Sequence, residues 1–257
     1  MTLPYFDLSG RIAVVSGGAS GIGLAISEAY AEAGATVVIC SRRAELCIDV
    51  ATKLKANTGA DVLGMYCDVT VTSAINNMIS TLEKQYGGID VLVNCAGVGG
   101  SEKPALKMDA DDWDSVIEVN LTGAFNLTKV AGASMIRRGR GGCVVNVASI
   151  GGAIAFPNMS AYCASKGGLV QMTKALALEW ARYNIRVNAI LPGYFETPMN
   201  TEFFASDAGK KIIATNVPMN RLGQCEEIKG LAILLASESS SFMTGSEILL
   251  DGGYTAK

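Results

Sequence analysis

The chain of 257 residues contains no histidine. This removes the usual zinc sites and any histidine-based triad or general base, so proton transfer near neutral pH would fall to another side chain. No apolar run approaches the roughly 18 residues of a membrane span. The start, MTLPYFDLSGR, lacks a basic then apolar signal segment, and a cytoplasmic location is expected. Nor is there a long run of either charge. With 21 basic and 24 acidic residues, net -3, the chain offers no footprint for nucleic acid or an anionic membrane, and its expected partners are small molecules. The seven cysteines include no CxxC pair. Odd in number and scattered among apolar neighbours, as in Ile39-Cys40 and Cys143-Val144, they read as reduced, buried core residues. No linker rich in proline or serine, low-complexity tract or internal repeat divides the sequence, so a single domain over residues 1–257 is expected.

What is present is a substantial core, with 49% hydrophobic residues, and 29 glycines for tight turns. Short apolar runs alternate with helical patterns. Ile12–Ser16 reads as a strand, and apolar positions at Ile22, Ile26, Ala29, Tyr30 and Ala33 read as a helix closed by Gly34. Val37–Cys40, Val62–Tyr66, Val91–Asn94, Cys143–Val147, Ile185–Ile190 and Glu247–Leu250 read as further strands. Helices are expected at 44–57, around 75–82, within 110–138 and over the segment carrying Tyr162. Strands so uniformly apolar, separated by helices, imply an α/β fold: a Rossmann-like, doubly wound parallel sheet covered on both faces. The stretch from Pro192 to about Arg221 breaks the rhythm and is a candidate substrate lid, at about 194–221.

Two local patterns carry chemistry. The turn Gly17-Gly18-Ala19-Ser20-Gly21-Ile22-Gly23 joins the first strand to the first helix. There a parallel sheet receives a dinucleotide, with glycine backbone against pyrophosphate and a helix N-terminus offering free N–H groups. Its spacing differs from GxGxxG. The second is Tyr162 and Lys166, four apart and so on one helix face, with Ser149 upstream. A free tyrosine titrates near ~10, and lowering that by about three units takes roughly 4 kcal/mol. One ammonium at about 4 Å in an effective dielectric of about 20 supplies a similar energy, so Lys166, helped by a cationic cofactor, has the right magnitude and Tyr162 is the candidate general acid/base.

These motifs fall in order along one chain: the GxxxGxG turn, Asn94-Cys95-Ala96-Gly97, Ser149, Tyr162 and Lys166. Together they resemble a classical short-chain dehydrogenase/reductase from about Gly10 to Gly253. The resemblance implies catalytic roles for Asn120, Ser149, Tyr162 and Lys166. Asn120 would distort its helix and hold a proton-relaying water, Ser149 would bind the substrate oxygen, and Lys166 would also bind ribose hydroxyls. It implies cofactor contacts by Gly17, Ala19, Ser20, Gly21, Ile22 and Gly23, and by Asp68 and Val69 at the adenine. Asn94, Ala96 and Gly97 would lie under the cofactor, with Pro192, Gly193, Phe195 and Thr197 clasping the nicotinamide. Cys95 stands where the family usually has a second asparagine, and Phe195 where an aliphatic residue is usual.

Tetrameric assembly is expected on the same ground. The implied reaction is hydride transfer between a nicotinamide cofactor and a ketone or secondary alcohol. A 3-oxoacyl reductase is the nearest likeness, a sugar or polyol dehydrogenase the alternative, and a non-catalytic dinucleotide sensor the reading from another class. Arg137, Arg138 and Arg140 form a basic cluster that could dock an acidic carrier protein. At the second strand's end no aspartate accepts ribose hydroxyls; Ser41, Arg42 and Arg43 stand there instead. A guanidinium beside a hydroxyl suits a 2′-phosphate, so NADP(H) is expected over NAD(H), although Ser20 leaves the glycine turn without the basic residue many NADP-dependent relatives carry.

Overall fold

A computed structural model describes residues 4–198 and 200–256. The outermost positions of the expected 1–257 domain, and residue 199 of the expected lid, lie outside that range. Seven strands form one parallel sheet in the order β3-β2-β1-β4-β5-β6-β7. They are β1 Ile12–Ser16, β2 Thr36–Ser41, β3 Val62–Tyr66, β4 Val91–Asn94, β5 Gly142–Val147, β6 Ile185–Pro192 and β7 Glu247–Leu250. Helices α1 Gly21–Glu32, α2 Ala44–Thr58, α3 Thr72–Tyr86, α4 Ala110–Ile117, α5 Ala124–Arg138 and α6 Ser160–Trp180 intervene. After β6 come the short α7 Thr201–Ala205 and α8 Asp207–Asn216, then α9 Lys229–Ala236 before β7.

The two-residue period of the strands divides the core into two layers. Ala13 and Val15, Val37 and Ile39, and Cys143 and Val145 face α1, α2 and α9, whereas Val14, Val38, Leu92, Val144 and Val187 face α3, α5 and α6. Burying both faces explains why these strands are apolar throughout. Four of the seven cysteines, at 40, 47, 67 and 143, are buried as expected; Cys95, Cys163 and Cys225 are only half-buried.

The order in which strands are added to the sheet reverses between the parallel β1 and β4, whose ends meet in register at Ser16 and Asn94. Ligands of such sheets bind at this switch point, beyond the carboxyl ends of the strands. The run from α4 to α5 is continuous, but between them Glu118–Gly123 forms a π-helical turn carrying Asn120. This is the local distortion expected there, and such turns recur at functional sites. The segment after β6 has its own small core of Phe204, Ile213 and Val217, packed by Tyr194, Leu222 and Tyr254.

Two of the three arginines of the basic cluster at the end of α5 are ion-paired. Arg138 pairs at 3.0 Å with the buried Asp90, and Arg137 pairs with Glu83. Among the described residues no helix is long and apolar enough to cross a membrane, and no group of histidine, cysteine or acidic residues could hold a metal ion.

Candidate active site

The carboxyl end of β5 and the start of α6 bring Ser149, Tyr162 and Lys166 together. Lys166 is buried, its Nζ donating at 2.9 Å to the carbonyl of Val147 and lying 5.9 Å from the centroid of the Tyr162 ring. The Ser149 hydroxyl accepts from the Gly151 N–H at 3.0 Å and hydrogen-bonds the Tyr162 phenol. From the π turn, Asn120 reaches the same place. Its Oδ1 accepts from the Val98 N–H at 2.8 Å, and its Nδ2 donates to the Val98 carbonyl at 2.9 Å and to Ser165 Oγ at 3.1 Å. These bonds hold the loop after β4 against α6.

Burial dominates the electrostatics. It raises the Tyr162 phenol above its usual value near 10, the Ser149 hydrogen bond offsetting part of the rise. It also pulls the Lys166 ammonium down to about 8. The protein alone therefore does not lower Tyr162 toward neutrality as the charge arithmetic suggested. Desolvating two groups in one dry site costs more than their attraction returns. Cys95, in the same apolar pocket, is pushed up to about 11 by its burial and stays a thiol.

Beside this cluster the glycine turn makes a cradle of bare backbone. A Cβ on Gly17 would stand 2.9 Å from the Ala96 nitrogen, and one on Gly23 only 2.3 Å from the Gly17 carbonyl oxygen. Turn and helix could not close so tightly with side chains there. Ser20 is the N-cap of α1, yet its side chain makes no capping bond, so the N–H groups of the first turn face outward. A Cβ on Gly97 would lie 3.2 Å from Asn120 Oδ1 and 3.6 Å from Lys166 Nζ, so the bare strip continues to the Lys166 ammonium. Thr197 arrives from beyond β6, its methyl 3.4 Å from where a Gly21 Cβ would be. Ser16, which no motif singles out, fixes the switch point: its Oγ accepts from the N–H groups of Cys95 at 3.1 Å and Ala96 at 3.3 Å. Its position at the end of β1 was the available signal.

The other residues expected at the cofactor keep contacts of their own. Asn94 is buried, its Nδ2 donating at 2.7 Å to Thr128 Oγ1 and at 2.7 Å to Asn146 Oδ1, while Asn146 Nδ2 donates at 2.8 Å to Thr173 Oγ1. This polar chain ties β4 and β5 to α5 and α6, and the Asn94 side chain is not offered to a ligand. Phe195 packs its ring into the core against Gly223, leaving only its backbone near the cleft. The Asp68 carboxylate accepts from the N–H and the hydroxyl of Thr70, and Val69 is buried. At the end of β2, Ser41 Oγ accepts from the Arg43 N–H at 3.1 Å, whereas the Arg42 side chain is exposed with no ion pair among the described residues. Pro192 ends β6 beside Leu250, and Gly193 packs against Asp251.

The comparisons with known proteins agree with this geometry. The sequence family described as enoyl-(acyl carrier protein) reductase matches residues 17–255. An NAD-dependent glycerol dehydrogenase of Listeria innocua is 39% identical over 255 residues, 98% of this chain and 96% of the relative. A 3-oxoacyl-[acyl-carrier-protein] reductase of Thermotoga maritima is 38% identical, over 96% of this chain and 98% of its own length. The crystal structure of a gluconate 5-dehydrogenase from Burkholderia cenocepacia in complex with NADP and tartrate superposes with a TM-score of 0.93 at 36% identity, covering 98% of each chain. The chain therefore belongs to the classical short-chain dehydrogenase/reductase family and is an NAD(P)-dependent enzyme acting on alcohol and ketone groups.

Proposed function

We propose that this enzyme interconverts a secondary alcohol and its ketone, with Tyr162 moving the proton and Ser149 holding the substrate oxygen. The observation that carries the reading is the convergence of Ser149, Tyr162, Lys166 and Asn120 beside a cradle of bare backbone. The cradle fits a dinucleotide: Gly17 and Gly23 leave room for pyrophosphate, the uncapped α1 offers N–H donors, and Gly97 keeps the approach to Lys166 open. NADP(H) held there would supply the hydride. In reduction Tyr162 gives its phenolic proton to the carbonyl oxygen, and Ser149 together with the Lys166 ammonium stabilises the phenolate left behind. Asn120 keeps the loop after β4 aligned with α6. With Tyr162 and Lys166 both in place, the alternative of a non-catalytic sensor loses its main support. Replacing Tyr162 by Phe removes only the transferable proton, so turnover should fall below a tenth of wild type while cofactor affinity stays within a few-fold. A mutant keeping more than that refutes the role.

A sugar or polyol fits the substrate side better than a 3-oxoacyl thioester. Two of the three arginines that would dock a carrier protein, Arg138 and Arg137, are paired with Asp90 and Glu83. The glycerol and gluconate dehydrogenases among the relatives add weight. For the cofactor we favour NADP(H), on the ground that Arg42 is exposed at the end of β2 with no ion pair among the described residues; the NADP complex of the gluconate enzyme supports this, and the NAD dependence of the glycerol enzyme weighs against it. Residues 194–221 act as the substrate lid in this reading, hinged on their own apolar cluster. Exposed Phe125 and Ile136 on α5, Leu178 on α6 and Leu249 on β7 supply apolar surface for a homotetramer. Light scattering at micromolar concentration should return four times the mass of one chain, and a monomer mass rejects the assembly.

A further inference from the structure

Sheet register brings together two tyrosines that lie 60 residues apart in sequence. Because Pro192 of β6 pairs with Leu250 of β7, Tyr194 and Tyr254 leave the sheet side by side. The chain after β7 is folded back by Asp251, whose carboxylate accepts from the N–H groups of Gly253 at 2.9 Å and Thr255 at 2.8 Å. Gly252 and Gly253 then pack on Val217 and Pro218 of the lid segment. The rings of Tyr194 and Tyr254 meet edge to face, with centroids 5.5 Å apart, and the two hydroxyls are in hydrogen-bonding range. Phe156 lies 6.3 Å from each ring. A Cβ on Gly151 would stand 3.2 Å from the Phe156 ring and 3.2 Å from the Tyr162 ring, so this aromatic wall adjoins the general acid/base.

Taking the hydride-transfer reading above as its basis, we propose that the Tyr194 and Tyr254 hydroxyls bind a second hydroxyl of the substrate, next to the alcohol being oxidised, so that the substrate is a neutral vicinal diol or polyol. Within the cluster of Phe156, Tyr194 and Tyr254 the polar side-chain atoms are these two hydroxyls. Bonded to each other they still hold one donor and free acceptor lone pairs, which methylenes of an acyl chain would leave without partners, whereas a hydroxyl both donates and accepts there. Burial raises the Tyr194 phenol well above its usual value, so it remains an uncharged donor at any working pH. The carboxylate of Glu102 is the charged side chain that acts on it among the described residues. An anionic sugar acid would meet repulsion at this wall; a neutral polyol would not.

The test compares butane-2,3-diol with butan-2-ol, which differ by one hydroxyl, using NADP⁺ and the wild-type, Tyr194→Phe and Tyr254→Phe enzymes. In wild type the ratio of kcat/KM for the diol over the mono-alcohol should be at least tenfold, and each Phe variant should bring that ratio toward one. Sodium gluconate should be a poorer substrate than the diol. Should Tyr254→Phe fail to fold, Tyr194→Phe decides alone. A wild-type ratio near one, a ratio unchanged in the variants, or a preference for gluconate overturns the assignment while turnover itself leaves hydride transfer standing. No turnover of either alcohol, or of the matching ketones with NADPH, overturns both.

Discussion

Lys166 should destabilise the enzyme it serves. Its ammonium is held at about 8 by burial, against an ordinary value of 10.5. That gap of about 2.5 units corresponds to roughly 3 kcal/mol of penalty on the charged form at pH 7. The penalty is fully present below about pH 8 and disappears as pH rises from there through 10.5, because over that window the unfolded chain holds a proton that the folded one has released. By pH 9.5 about 1 kcal/mol of it should remain. Lys166→Met keeps an unbranched side chain of similar size and removes the titration, at the cost of the bond to the Val147 carbonyl, which is the same at either pH. The difference in unfolding free energy between variant and wild type should thus shrink by about 2 kcal/mol between pH 7 and pH 9.5. For a chain of this size that is a relative change in Tm of roughly 4–8 °C. Urea titrations of both cofactor-free proteins at the two pH values measure it, groups common to both cancelling. A difference independent of pH would mean that Lys166 is not desolvated as its surroundings imply.

Other substitutions probe separate parts of the site. Arg42→Asp should move the ratio of kcat/KM for NADP(H) over NAD(H) toward NAD(H) by on the order of 10- to 100-fold, the worth of a charge-assisted phosphate contact; steady-state kinetics with both cofactors decide, and an unmoved ratio removes this loop from phosphate recognition. Asn146→Ala removes one of the two acceptors of Asn94 Nδ2 and the donor to Thr173 Oγ1 and should cost about 1–3 kcal/mol in denaturant unfolding. A loss under about 0.5 kcal/mol would show that water replaces the missing amide.

The sheet was legible because each strand carries its own signal. Val91–Asn94 is bounded as its apolar run is, since burial on both faces marks every residue of a central parallel strand, and the edge strands Val62–Tyr66 and Glu247–Leu250 keep the bounds read for them although they are only partly buried. Tyr162 and Lys166 were legible for a similar reason, as one helix turn fixes their relation. What the sequence hid is what depends on the third dimension. Asn94 could be assigned to a loop motif but not to Asn146, 52 residues away, because the pairing exists only once β4 and β5 align. Arg138 read as a solvated helix end until Asp90, 48 residues earlier, came beside it. The reversed shift of Tyr162 follows from how much water the packed site excludes, which no spacing of residues encodes.

The π turn at Glu118–Gly123 has a consequence for which changes in chain length the protein can tolerate. A π turn holds one residue more than an α turn, so it takes up an extra residue without changing the phase of the helix beyond it. Deleting one residue between 121 and 123 would leave a regular helix whose later positions keep their faces: Leu127, Ala131 and Met135 would stay buried on the sheet, and Phe125 and Ile136 would stay exposed. What such a deletion would remove is the local widening from which Asn120 reaches Val98 and Ser165. The extra residue is thus an insertion that the core does not register. The packing of α5 should tolerate a shortening here that the reaction centre does not.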